Sequence, residues 1–299
     1  MSMTVLGPAE IGRRLYKSER IHTAIEHPSL INAEHMRQYW TDGFLAVNNV
    51  FSPNEVTDAI SGLTHLIRGG NPEYKGVTLE EATANHMAAD TVPPDEREHY
   101  VRKVMKFVDF DERLKAMATQ ATLVGIAERL VGARLVMSQD MALLKPPHIG
   151  REKPWHQDTA YFNYKPFDGV IGTWTALDAA TPENGCMHVI PGSHQRGPQP
   201  HYHDRDCQLP DEVVDVENNV VVPLQPGGAL FFHGLLHHGT PPNESISKRR
   251  ALQFHYVSVE CQTITDDEHE ALFFDAGGYA GCRYWVMNLP PRKITERVF

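Results

Sequence analysis

From Arg134 to Ser258 the chain is a succession of short apolar runs broken by turn signals, and this pattern limits the fold more than any other feature. The runs are Arg134–Met137, Met141–Leu144, Val170–Leu177, Met187–Ile190, Val220–Leu224, Ala229–Phe232 and Ala251–Ser258. Turn chemistry such as Pro191-Gly192-Ser193 and Pro226-Gly227-Gly228 separates them, as expected of strands ended by φ-restricted and φ-permissive residues. No helix-length pattern intervenes. Parallel strands need long crossovers, usually helical, so many short strands without them predict an antiparallel sandwich or barrel.

The first half is different. Asn32 is placed to cap a helix over about 33–42 that ends at Gly43, and Phe44–Val47 reads as a short strand. Ser52-Pro53 opens a second helix with a stripe at Val56, Ile60, Leu63 and Ile67, ending at Gly69-Gly70. Residues 71–98 are polar and proline-interrupted, which predicts a long surface excursion, either a lid over a site or a disordered insertion. Helical patterning returns over 111–117 and 123–130 and closes at Gly132. No Gly/Ser linker joins the halves. The expected organisation is one α+β, mainly β domain over 1–299, with a helical part at about 30–132, a jelly-roll core at about 134–258 and a C-terminal tail at 259–299.

Charge and cysteine usage narrow the function classes. Across 299 residues the formal net charge is -10, which disfavours nucleic acid or an anionic membrane as the main partner. No apolar run approaches the roughly 20 residues of a membrane span, and the first residues lack a signal-peptide core. Cys186, Cys207, Cys261 and Cys282 form no C-x-x-C pair, which predicts reduced thiols in a cytoplasmic setting. The 17 histidines, many of them between His156 and His255, hint at metal chemistry.

Pro154-Trp155-His156-Gln157-Asp158-Thr159-Ala160-Tyr161 reads as extended. On a strand His156 and Asp158 project to one face, as two of the three ligands of a 2-His-1-carboxylate site would. Alone, the pair is more simply a surface histidine beside a carboxylate. Downstream, His233, His237 and His238 compete for the third position. His238 precedes Gly239-Thr240, where glycine permits a tight backbone approach, whereas His233 suits the core or a supporting position. Of the adjacent Arg249 and Arg250, one must face opposite to the other. An inward arginine suits two-pronged binding of a carboxylate, and two exposed strand-edge charges are the plainer alternative.

Taken together, these motifs resemble the phytanoyl-CoA dioxygenase family of Fe(II)/2-oxoglutarate oxygenases. The matching residues are Lys145-Pro146-Pro147, His156-Gln157-Asp158, Thr173-Trp174-Thr175-Ala176, Asn184-Gly185-Cys186, Val189-Ile190-Pro191-Gly192-Ser193-His194, Pro226-Gly227-Gly228, His238-Gly239-Thr240, Asn243 and Arg249-Arg250-Ala251. The likeness is good from about Lys103 to Tyr256 and weaker toward both ends. It implies a double-stranded β-helix (cupin-like jelly roll) with packed N-terminal helices. It also implies His156, Asp158 and His238 as Fe(II) ligands and Arg249 as the partner of the distal carboxylate of 2-oxoglutarate. Thr240, Trp174, Met141 and, least securely because Lys106 is close by, Lys103 would also serve the cosubstrate. The implied reaction hydroxylates an unactivated C–H while O2 and 2-oxoglutarate are converted to succinate and CO2. Asp158 argues against the related halogenases, which carry a small residue there.

The substrate is expected under the loops at 71–98, 147–155 and 198–219, with Tyr161, Phe162 and Tyr164 forming either an aromatic wall or plain core. The acidic stretch 201–219 disfavours a polyphosphorylated acyl-CoA, so a small molecule is expected. The alternatives are an acyl-CoA 2-hydroxylase of phytanoyl-CoA type, a catalytically silent metal-binding member of the fold, and a cupin-type metalloenzyme that needs no 2-oxoglutarate. A monomer or homodimer is expected, with the tail from Cys282 to Phe299 packed on the barrel or on a second subunit.

Overall fold

The structure, a computed structural model, describes residues 8–80 and 92–274. Its core is two antiparallel sheets facing each other. The larger has the order β1 (Phe44–Val47), β12 (Ala229–His233), β7 (Val170–Ala176), β14 (Arg249–Ser258), β4 (Leu135–Lys145), β3 (Val101–Met105), β2 (Val77–Leu79). The smaller has the order β11 (Val220–Val222), β8 (Met187–Val189), β13 (His238–Thr240), β5 (Lys153–His156). Two short ribbons, β9 (Tyr202–His203) with β10 (Cys207–Gln208) and β6 (Tyr164–Lys165) with β15 (Gln262–Thr263), complete the described strands. This is the expected jelly roll.

The central strands are buried on both faces, so each face needs its own cover. On β14, Leu252, Phe254 and Tyr256 face outward and join the helical layer. After the N-terminal α1 (Pro8–Leu15), that layer comprises α2 (Ala33–Asp42), α3 (Pro53–Ile67), α4 (Glu112–Ala118) and α5 (Ala121–Val131). Leu63, Leu66, Leu114, Leu123 and Ile126 pack there against Ala142, Leu144 and Phe231. Ala251 faces inward with Phe44, Trp174, Ala176, Leu230 and Phe232. The odd-numbered residues of β14 therefore face the barrel interior.

Local signals hold at the helix ends. The Asn32 side chain accepts from the backbone N–H groups of Glu34 and His35. Ser52 and Glu55 form a reciprocal capping box with Pro53 at the first helical position. Gly43 closes α2 at φ 85°, and a Cβ there would lie 2.5 Å from Nδ1 of His194, so glycine is required twice over.

Several expectations fail for identifiable reasons. The separate runs at 134–137 and 141–144 are one continuous strand, because Gln139 and Asp140 keep their ladder partners His255 and Phe254, and Asp140 Oδ2 accepts from the Val108 N–H at 3.0 Å. The polar excursion supplies an edge strand, since β2 pairs with β3; residues 81–91 lie outside the described residues. The reduced-thiol expectation holds at Cys186 and Cys261 but not at Cys207, which is disulfide-bonded. Part of the expected tail is α6 (Asp266–Phe273), whose Phe273 packs with Ala160 and Leu235. Residues 275–299, with Cys282, Tyr284 and Trp285, lie outside the described residues. Among the described residues no helix is long and apolar enough to cross a membrane.

Candidate metal centre

Pairing of β13 with β5 sets His238 directly opposite His156. The strand ends at His156, however, and Asp158 opens a 3-10 turn over Asp158–Tyr161. Both the backbone N–H and the hydroxyl of Thr159 donate to the Gly234 carbonyl at 3.0 Å, drawing the chain off the sheet. A turn, not strand alternation, thus brings the carboxylate back to the imidazole. Asp158 Oδ1 lies 3.1 Å from His156 Nε2 and 3.6 Å from His238 Nε2. One ligand atom from each of the three buried residues falls within 4.8 Å of the others.

Both histidines are oriented for metal binding. Nδ1 of His156 donates to the Pro154 carbonyl at 2.8 Å, and Nδ1 of His238 to the Leu236 carbonyl at 2.9 Å. Each Nε2 is therefore the bare, ligating nitrogen. Burial lowers both imidazoles, His238 to about 3, so both are neutral at ordinary pH. Burial pushes Asp158 upward, but the histidines around it outweigh that and hold it well below the usual carboxylate range. Two neutral nitrogens and one carboxylate form the donor set that suits Fe(II).

Deeper in the barrel, Arg249 is 1% exposed. Its guanidinium carbon lies 5.3 Å from the centre of the Trp174 ring, and Nη1 donates to the Leu143 carbonyl at 3.0 Å. Its Nε and the Trp174 Nε1 are buried without partners, and no carboxylate pairs with Arg249 among the described residues. Burial lowers the guanidinium to about 10. A buried cation with idle donors fits a carboxylate guest. Arg250 faces outward and holds Asp178 through two bonds of 2.8 and 2.7 Å.

Thr240 is two residues beyond His238 on β13 and is buried. Gln253 on β14 is flanked by Trp174 and Met141 in the ladder. Lys103 pairs with Leu143, which packs on the interior cluster, so Lys103 faces inward; burial lowers it to about 8. Lys106 lies beyond the strand at φ 58°. Tyr161 is 6.1 Å ring to ring from His156, and its hydroxyl lies 2.8 Å from Lys153 Nζ. Phe162 and Tyr164 instead pack with Val136, Val170 and Val257. His233 is bound to Asp168 at 3.2 Å and accepts from the Leu235 N–H, a structural role away from the three-residue cluster. At Gly239 the constraint is space, not a tight turn: a Cβ would lie 2.8 Å from the Tyr16 hydroxyl and 3.1 Å from the Lys153 carbonyl.

Two residues at this centre escaped the sequence argument. Asp158 Oδ2 accepts from His255 Nε2 at 2.6 Å and from Gln253 Nε2 at 3.1 Å. A signal for them exists, since positions 249, 253 and 255 share a face on any strand.

Known proteins match this architecture. Human peroxisomal phytanoyl-CoA dioxygenase is 26% identical over 246 residues, 79% of this chain and 71% of that protein. A methylphosphonate hydroxylase from Gimesia maris is 34% identical over 150 residues, 50% of this chain and 56% of that protein. The structure of EvdO2 from Micromonospora carbonacea var. aurantiaca complexed with 2-oxoglutarate superposes with a TM-score of 0.62 at 26% identity, covering 86% of this chain and 99% of that one. Fold and site define an Fe(II)/2-oxoglutarate-dependent dioxygenase. Residues 39–251 match the phytanoyl-CoA dioxygenase (PhyH) family, and the chain belongs to it.

Proposed function

We propose that His156, Asp158 and His238 hold the iron and that Arg249 holds the distal carboxylate of 2-oxoglutarate in a hydroxylase of small molecules. The observation that carries this reading is the pairing of a convergent two-histidine, one-carboxylate cluster with a buried arginine that has no acid partner among the described residues. Iron, 2-oxoglutarate and dioxygen together supply the oxidising chemistry at the site. The chain's own residues orient and exclude water. Trp174 stacks beside the Arg249 fork and limits its swing. Thr240, Met141 and Lys103 complete the cosubstrate lining. The helical layer and the jelly roll act as one catalytic unit, supported by the shared apolar cluster between them.

The substrate enters beside Tyr161, Lys153 and the 198–219 loop. Acids in that loop weigh less against an anionic substrate than their number suggests, because several are internally paired. Asp206 binds Lys153 and Arg102, Asp211 binds Arg205, and Asp215 binds Arg196. Asp204, Glu212 and Glu217 remain exposed, and they favour a small molecule over an acyl-CoA. Anaerobic addition of 2-oxoglutarate to the Fe(II) protein is expected to give a weak visible charge-transfer band, absent in Arg249→Ala. Succinate release on oxygenation, scored across candidate substrates, then tests the substrate class. Tight coupling to phytanoyl-CoA or another acyl-CoA would overturn the small-molecule reading, and activity without 2-oxoglutarate would overturn the whole.

A further inference from the structure

We propose that Gln253 and His255 are positioning residues that lock Asp158 as a one-oxygen metal ligand. This rests on the assignment of His156, Asp158 and His238 as the metal-binding set. The two oxygens of Asp158 have separate surroundings. Oδ1 faces His156 and His238 at 3.1 and 3.6 Å. Oδ2 turns the other way, to His255 Nε2 at 2.6 Å and Gln253 Nε2 at 3.1 Å.

Proton positions follow from the contacts. A carboxylate oxygen only accepts, so the His255 nitrogen 2.6 Å away must carry its proton. With Nε2 protonated, the Gln253 amide nitrogen 3.3 Å from it cannot donate to it, and its hydrogens are left for Asp158. The reverse amide orientation would set oxygen against oxygen and is excluded on the same ground. His255 Nδ1 is buried with no partner among the described residues. The rings of Phe162 and Phe232, at 4.8 and 6.4 Å from His255, border the imidazole. The β14–β4 register also shifts between His255 and Tyr256, a local irregularity of the kind that re-aims side chains at sites.

The consequence is control of denticity. A carboxylate that bound through both oxygens would take a coordination position needed by cosubstrate or dioxygen. Two donors on Oδ2 occupy the lone pairs that a second metal bond would use. They also tie the ligand to β14, the strand that carries Arg249. One rigid strand thus spaces the metal carboxylate against the cosubstrate carboxylate site.

The test is Co(II) titration of the full-length, metal-free protein, following the visible d–d bands alongside thermal unfolding. Wild type should bind one Co(II). His255→Phe should weaken binding by roughly 10- to 100-fold and alter the band pattern, while the apo protein unfolds near the wild-type temperature. Gln253→Met should do the same to a smaller extent. His255→Gln, which keeps an N–H donor, should recover most of the affinity, a rescue that a space-filling role would not produce. Wild-type affinity and spectrum in both His255→Phe and Gln253→Met would overturn the proposal. Should His255→Phe fail to fold, Gln253→Met and His255→Gln decide it alone. A wild-type protein that takes up no Co(II) would instead overturn the ligand assignment, and the proposal with it.

Discussion

The two ends of the barrel interior are built on opposite terms. At the metal end every ligand is already held: His156 and His238 by backbone carbonyls, Asp158 by His255 and Gln253. At the arginine end the main cation is held on one side only, by the Leu143 carbonyl and the Trp174 face, with Nε idle. Nearby Lys145 has no carboxylate partner among the described residues either, but unlike Arg249 its Nζ is spent on the carbonyls of Arg151, Thr240 and Pro241. A metal site needs its donors aimed before the ion arrives. A site for a dianion gains more from donors left unspent, because the guest supplies the missing charge and acceptors. One end is preorganised by satisfaction and the other by want.

If that contrast is right, damage at the two ends should look different. The largest effect is expected at the metal end. Asp158→Ala removes a ligand, so its loss of turnover should exceed the roughly 100-fold ceiling of an outer-shell change. Metal uptake should fall with it while circular dichroism stays that of the folded chain. Retained activity in this variant would break the comparison at its base. Next is Arg249→Met. Losing one partner of a desolvated charge contact costs about 2–5 kcal/mol, so the KM for 2-oxoglutarate should rise about 30-fold or more. Stability should move the other way: an unpaired buried cation is a burden on the apo fold, so its removal should leave the apo Tm unchanged or raised. Metal plus 2-oxoglutarate should raise the Tm of the wild type more than that of this variant. A clearly lower apo Tm would show that Arg249 is a structural cation.

The same contrast explains what the sequence disclosed. Apolar periodicity and caps are local, so the helices begun by Asn32 and Ser52 and most strands could be read directly. Polar residues inside a strand could not: 138–140 looked like a break because the partners of Gln139 and Asp140, His255 and Phe254, are more than a hundred residues away. At the metal end the spacing of His156 and Asp158 suggested a shared strand face, whereas a turn fixed by Gly234 makes the approach. Gln253 and His255 could be placed on the same strand face as Arg249, but nothing in their own neighbourhood names Asp158 as their target. Gly239 was legible as a constrained position but for a different reason, since Tyr16, far away in sequence, fills the space above it. Cys207 has no close cysteine in sequence, so its disulfide could not be read from spacing.

A smaller effect separates the site from the rest of the buried histidines. His188, on β8, is lowered to about 4, chiefly by burial, with Nδ1 bonded to Asn219 Oδ1 at 3.0 Å. Its folded value lies below the unfolded value of about 6.5. Between those values the unfolded chain binds more protons than the folded one, so folding stability falls as pH drops through that window and is unaffected above it. One such group contributes at most about 1.4 kcal/mol per pH unit. His188→Gln should flatten the decline of the Tm between about pH 6.5 and 4, without changing the KM for 2-oxoglutarate at neutral pH. An unchanged slope would mean that other buried histidines, such as His201 (lowered to about 3), dominate the acid limb.

The smallest effect is expected at Arg250, and it makes the sharpest control. Arg250 and Arg249 are chain neighbours on one strand, yet Arg250 faces out and is fully matched by Asp178 through its backbone N–H and its guanidinium. Arg250→Gln should cost about 1–2 kcal/mol of stability, somewhat above the scale of a fully exposed ion pair, because the two side chains are only 12% and 21% exposed. The KM for 2-oxoglutarate should stay within about 2-fold, since a change of that size is under 0.5 kcal/mol. Set beside Arg249→Met, the pair of variants removes the same charge from adjacent positions. Opposite outcomes, affinity lost at Arg249 and a little stability lost at Arg250, are what strand alternation requires. Equal losses of affinity would mean that the cosubstrate senses net charge at this end of the barrel, not the aimed and idle donors of Arg249.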